Sequence, residues 1–307
     1  MGLLNEGCKI KSLQIKLCLS HESLLGAYFD RSVIPGLVAT HFLAQRINFF
    51  LYMSTVYPSS VQPPAFEVIN PNGRAPILLT CDHASNRIPE ELAGLGISQA
   101  LQSAHIAYDI GAKQVAIHLS HEFDAPLILG TYSRLVVDLN RFPDDPSIIP
   151  ASSDHHPIPG NLVLDEAQRQ RRIQRFFYPY HQCHEELVDQ LVDNHDDPMI
   201  FSVHSFTPKM DGFDRPWHYG VLWDKCESLA KELCGALGRS QSLCIGENQP
   251  YSAASPKGYS MHVHAQDRGV DMGLIEIRQD LIGDDPGQIE AAEIIAKALR
   301  HIRPDLN

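Results

Sequence analysis

The chain is short of positive charge. Its 37 acidic side chains face only 25 lysines and arginines, a formal net charge of −12. It therefore lacks the basic face that nucleic-acid binding requires. There are seven cysteines but no CxxC pair. That excludes a cysteine-built zinc site and a disulfide framework, and fits free thiols in the cytoplasm. No apolar stretch is long enough to span a membrane; the nearest, residues 38–52, is interrupted by His41, Arg46 and Asn48. The N-terminus shows no secretory signal pattern. Neither a GxSxG elbow, a GxxxxGK[ST] loop nor a GxGxxG fingerprint occurs, which removes the signatures of serine hydrolases and of the common nucleotide folds. Internal repeats and low-complexity tracts are also missing.

What is present is a chain of 307 residues with 44% hydrophobic composition and 16 histidines. It is long enough for one large domain with a substantial core. Residues 1–64 have no sustained period and end in a proline- and serine-rich run, a linker-like composition. We expect this segment to be an extension outside the functional fold, with Met53 as a candidate translation start, and residues 65–307 to form a single catalytic domain.

From residue 75 the pattern sharpens. Residues 76–81 are a short apolar run that reads as a buried strand, and it breaks abruptly into Asp82, His83, Ser85, Asn86 and Arg87. Residues 90–102 read as a short helix, and Ala112–Phe123 as a helix with an apolar stripe. Further strands are expected at 126–131, 135–139, 198–203, 219–223, 243–245 and 273–279. Residues 140–160 form a long loop of the kind that covers binding sites. Residues 165–193 are helical, capped by Asp165 and kinked or split by Pro179. Helices at 225–237, ending at Gly238, and 286–302 follow. Strands alternating with helices imply an α/β fold, a three-layer sandwich around a central mixed sheet.

Two histidines, His83 and His204, each follow a buried strand. Side by side at the carboxyl end of a sheet, two imidazoles make a natural zinc site. A lone histidine there is more often structural; two in polar loops weigh more evenly. Asp109 precedes a helix. It reads first as an N-cap accepting from Gly111 or Ala112, and alternatively as a carboxylate metal ligand. Glu276 lies inside an apolar strand, with Leu274 and Arg278 on its face and Ile275 and Ile277 on the other. Either this face meets solvent at a sheet edge, or Glu276 and Arg278 line a site, where the carboxylate would suit a general base beside a metal-activated water. Arg134, Arg141 and Arg278 are candidate clamps for an anionic substrate, or surface ion-pair partners. Asn86 and Ser205, in the polar loops beside the two histidines, are candidate substrate contacts. His262 and His264, in a loop-like run before the last strand, could polarise a carbonyl or be ordinary surface residues. His181 and His184 read as a polar helix face.

The strings HASNRIP, SRLVVDLNR, SVHSF, YGVLW, ENQPYS and IEIRQDLI occur in this order between about residues 75 and 282. Together they resemble the N-formylglutamate amidohydrolase family. The resemblance implies a zinc-dependent amidohydrolase acting on linear amides of small anionic N-acyl amino acids. Its fold would be similar to that of the zinc carboxypeptidase and aspartoacylase group (phosphorylase/hydrolase-like). It implies His83, Asp109 and His204 as zinc ligands, Glu276 as general base, and Arg141 as the arginine closing the Asp-Leu-Asn-Arg motif. His264 is expected to assist catalysis. Enzymes that cleave N-formylglutamate read His-Ala-Gly-Thr where this chain has His83-Ala84-Ser85-Asn86; the Ser-Asn form is that of a related branch. A non-catalytic small-molecule binding protein and a zinc peptidase acting on short peptides are the alternatives.

Overall fold

A computed structural model describes residues 63–240, 242–253 and 257–306. The expectations for residues 1–52 and for Met53 lie outside the described residues. Seven strands form one sheet: β1 (Phe66–Ile69), β2 (Ile77–Cys81), β3 (Leu127–Gly130), β4 (Met199–Phe206), β5 (Tyr219–Val221), β6 (Ile245–Glu247) and β7 (Asp271–Arg278). Their order across the sheet is β1-β3-β2-β4-β7-β5-β6. β3, β2, β4 and β7 run parallel, whereas β1 pairs antiparallel with β3 and β5 antiparallel with β7. The sheet is therefore mixed, as the alternating pattern implied.

The central strands are buried on both faces, which is why they read as continuous apolar runs. Period-two alternation divides each between two cores. On one face Ile77, Leu79, Phe201, Val203, Ile275 and Ile277 pack with helices α1 (Ala112–Phe123), α4 (Glu227–Leu237) and α6 (Asp285–Ile302). On the other, Leu78, Ile128, Ile200, Met272 and Leu274 meet α3 (Tyr178–Asn194) and the loop carrying Val136 and Ile148. His204 and Glu276, neighbours of Val203 and Ile277, fall on this second face, in direct register with each other.

Several local expectations are corrected. Residues 135–139 form turns rather than a strand. The five side chains are all buried, from 0 to 4% exposed, so the segment has no solvent-facing side. The amide of Val136 bonds back to Ser133 and that of Asp138 to Ile148, curling the segment around the site. Residues 90–102 contain a 3-10 segment and a single-turn helix rather than one continuous helix. His204 and Ser205 belong to β4 itself rather than to a loop after it. The run 259–269, expected as a loop, contains the short helix α5 (Tyr259–His264).

The long helical stretch behaves as Pro179 demands. Asp165 caps α2 (Glu166–Arg172) through a reciprocal capping box with Gln168. A π-turn at Ile173–Phe177 then widens the helix immediately before α3. Proline lacks the amide for an ordinary helical bond and its ring crowds the preceding turn.

Candidate active site

The carboxyl ends of β2, β4 and β7 lie side by side, and each delivers one polar group to the same place. β2 ends at Cys81, so His83 stands on the first turn beyond it. β4 carries His204, and β7 sets Glu276 opposite it. Asp109 comes from a separate loop, tied down by its own amide, which donates to the carbonyl of His83 at 3.0 Å. Gly111 then turns the chain into α1 with a φ of 81°, a left-handed conformation that costs glycine little. Its missing side chain also admits the carbonyl and side chain of Ile282. The Asp109 carboxylate does not cap α1, contrary to the simpler sequence reading; α1 has no side-chain cap. It turns instead into the site, accepting from His204 Nδ1 at 2.8 Å and from the Ser205 amide at 3.3 Å.

Around this carboxylate lies a compact charge network. His83 Nδ1 stands 3.5 Å from Asp109 Oδ2, and His83 Nε2 donates to Asp138 Oδ1 at 2.8 Å. Arg134 bridges the two acids, reaching Asp138 Oδ2 at 2.9 Å and Asp109 Oδ1 at 3.4 Å. Burial, helped by Arg134, opposes a charged His83, but Asp138 and Asp109 more than reverse this and raise it to about 9. Burial likewise opposes charge on Asp138 and Asp109. Arg134 with His83 outweighs it at the first, and the two imidazoles outweigh it at the second, so both stay well below the usual carboxylate range. Glu276 is different: burial dominates, only partly offset by His204, and its pKa rises to about 7. One fold thus holds two acids firmly ionised and a third poised near neutrality.

His83, Asp109 and His204 bring one donor atom each within 4.8 Å of the others. Two imidazoles and a carboxylate are a zinc-type ligand set. The fit is supported by His83 Nδ1, a buried ring nitrogen with no hydrogen-bond partner, whose opposite nitrogen is held by Asp138. That carboxylate–histidine arrangement is the usual support of a metal ligand. Buried oxygens of Glu276 and Asp82 are also without a partner. The group opens onto a cavity of about 340 Å³, a size suited to a small molecule.

The other expected site residues divide. Arg141 and Ser205 line the cavity. Arg134 also lines it, but its guanidinium is committed to Asp109 and Asp138. Asn86 is not in the lining; its amide donates to the Gln102 carbonyl. Arg278 is outside too, bonded to Asp280 and to main-chain carbonyls at 215–217. His264 stands outside the lining, whereas its neighbour His262 is within it. His264 belongs to a buried trio with His181 and His184, corrected from a polar helix face, whose ligand atoms also lie within 4.8 Å of one another. There His181 Nε2 donates to the Leu139 carbonyl, so its Nδ1 accepts from His264 Nε2 at 3.0 Å. The rings lie 17–31° from parallel, so they stack more than they converge on a point.

Sequence reasoning passed over Asp138, Asp82, Tyr251 and Lys257. Asp138 lies in a segment that reads as a strand, which hides its role. Asp82 was visible only as one of several polar residues after β2. Tyr251 and Lys257 reach the cavity from a loop with no periodic signal.

A model of the N-formylglutamate amidohydrolase family matches residues 75–283. No match is found among curated proteins. Among solved structures, a gene product from Agrobacterium tumefaciens is similar at 34% identity with a TM-score of 0.76, over 80% of this chain and 98% of that one. An N-formylglutamate amidohydrolase from Ralstonia eutropha JMP134 shares the fold at 18% identity and a TM-score of 0.56, over 79% and 98% of the two chains. An aspartoacylase family protein from Mesorhizobium loti is similar at 13% identity and a TM-score of 0.33, over 80% and 69%, too distant to argue from.

Proposed function

The chain belongs to the N-formylglutamate amidohydrolase family, a family of hydrolases, and on that premise we propose that it is a zinc-dependent enzyme hydrolysing the linear amide of a small, anionic, N-formylglutamate-like N-acyl amino acid. The observation that carries this reading is the convergence of His83, Asp109 and His204 beside Glu276 at one end of the sheet. When bound by those three residues, a divalent cation supplies Lewis acidity, acidifying water and polarising a carbonyl.

The protein's own groups do the rest. Glu276 takes a proton from the attacking water and later delivers it to the leaving nitrogen as the carbon–nitrogen bond breaks, so acid and amine leave with water's atoms divided between them. Burial raises the Glu276 carboxyl to about 7 before any cation is bound, which makes it a better proton acceptor and donor near neutral pH than an ordinary carboxylate. Asp138 orients His83, and Arg134 locks Asp138 to Asp109. Arg141, on the cavity wall, matches a substrate carboxylate in a bidentate fork. His83, Asp109, His204 and Glu276 are buried, 2 to 7% exposed, and the low dielectric around them strengthens these interactions. The described cysteines are all free, which supports our placing the enzyme in the reducing cytoplasm; no described helix is long and apolar enough to cross a membrane.

Metal analysis of the purified protein, with a hydrolysis screen over formyl-, acetyl- and longer acyl-amino acids and dipeptides, tests the proposal. Zinc bound near one per chain and turnover abolished by a chelator are expected. Turnover indifferent to chelation would remove the metal mechanism. Thermal stabilisation by ligands without turnover would leave a binding protein, and cleavage of dipeptides alone a peptidase.

A further inference from the structure

Asp82 is fully enclosed, its side chain 0% exposed, and its two oxygens are treated very differently. Oδ1 accepts from three hydroxyls: Tyr180 at 2.6 Å, Ser260 at 2.9 Å and Thr80 at 3.4 Å. These donors come from α3, α5 and β2, so three separate elements lock the carboxylate's orientation. Oδ2 has no hydrogen-bond partner. It points toward His204, whose Nε2 is likewise buried and unpartnered, 3.8 Å away. Two orphaned polar atoms facing each other in a sealed space are costly unless a proton comes to lie between them.

We propose that Asp82 is the positioning residue for His204, holding its proton on Nε2 so that Nδ1 presents a lone pair to the metal. The proposal rests on the metal-dependent reading above. A neutral imidazole carries one proton, and the partner of one nitrogen decides which nitrogen keeps it. In the metal-free geometry His204 Nδ1 donates to Asp109, so a neutral ring would turn a bare Nε2 toward the Asp82 carboxylate. At 3.8 Å the two atoms stand farther apart than a hydrogen bond allows. With Nδ1 engaged by a cation, the proton belongs on Nε2 and Asp82 Oδ2 accepts it. Asp82 would thus do for His204 what Asp138 does for His83, giving each ligating imidazole its own carboxylate.

An asparagine at this position reverses the preference. Its carbonyl can keep the three hydroxyls while its amide donates to Nε2, which forces the proton to Nδ1 and blocks the ligand atom. The test is competition of the metal-free protein with a chelator for zinc, in the wild type, Asp82→Asn and Ser260→Ala. We expect Asp82→Asn to bind zinc about 10–100-fold more weakly, the range for loss of a ligand's supporting partner. Ser260→Ala, which removes one hydroxyl but leaves Oδ2, is expected to stay close to wild type. Nitrogen NMR of the zinc-loaded wild type should show His204 protonated on Nε2, a readout that a packing role would not move and that decides the matter even if Asp82→Asn fails to fold. Equal affinity in Asp82→Asn, an equal loss in Ser260→Ala, or a proton on Nδ1 would each overturn the proposal. A wild type that takes no zinc at all would instead bring down the metal reading itself.

Discussion

Glu276 and the two cavity arginines show how far single residues can be separated by role. Glu276 is neutral below and ionised above a pKa of about 7, and only the carboxylate can accept water's proton. The pH profile of kcat/KM should therefore fall on the acid side, with a midpoint below 7 once a cation held by His83, Asp109 and His204 favours the carboxylate. Glu276→Gln should keep its metal, lose about 10²–10⁴-fold in turnover, and abolish that acid limb in whatever activity remains. Arg134 and Arg141 both line the cavity, but only Arg134 is tied to two buried acids. Arg141→Ala should raise KM with much less effect on stability. Arg134→Ala removes the guanidinium that bridges Asp109 and Asp138 and leaves His83 alone between them; it is expected to cost roughly 3 kcal/mol in a denaturant melt, together with weaker metal binding. A variant pair with the opposite pattern would exchange the two roles.

Two elements carry consequences of their own. The turn into α1 depends on Gly111, whose left-handed φ and close approach to Ile282 leave no room for a side chain. Gly111→Ala should cost at least about 1–2 kcal/mol from backbone strain alone, and should also loosen Asp109, two residues away. Lower thermal stability and weaker metal binding are expected together; loss of stability with intact metal affinity would show that the turn and the ligand are uncoupled. The contact between α3 and α5 depends on neutral imidazoles. Burial pulls His181, His184 and His264 down, the last to about 4. A histidine whose folded pKa lies below its unfolded value of about 6.5 gives stability that is complete above 6.5 and lost as pH falls toward the folded value. For His264 alone the loss is about 3 kcal/mol. Denaturant melts should show it between pH 6.5 and 4, with a smaller loss in His264→Gln.

At the scale of the whole molecule, the sheet and both cores among the described residues are built from residues 65–306. We therefore propose that residues 65–307 form the catalytic domain by themselves. A chain beginning at Met53 should fold and retain wild-type turnover. A truncated chain that is unfolded or inactive would show that the N-terminal segment is required.

Much of the architecture was legible because its physics is local. Central strands buried on both faces announce themselves as apolar runs, and an amphipathic stripe marks α1 with its bounds unchanged. The alternation in β7 also placed Glu276 on the face opposite Ile275 and Ile277 from the sequence alone. His83, Asp109, His204 and Glu276 could be singled out from where they stand along the chain and from motif resemblance. What tertiary structure alone decided was who faces whom. A carboxylate before a helix can cap it or abandon it, and Asp109 abandoned it because His204 and Ser205 arrive from a strand almost a hundred residues away. An arginine in a motif can reach substrate or brace a neighbour, and Arg134 braces. A polar residue after a strand can be solvated or sealed, and Asp82 is sealed by hydroxyls from three elements. Hydrophobic periodicity records the average surroundings of a segment, whereas hydrogen bonds and ion pairs are short-ranged and directional, so their partners exist only once distant segments have met.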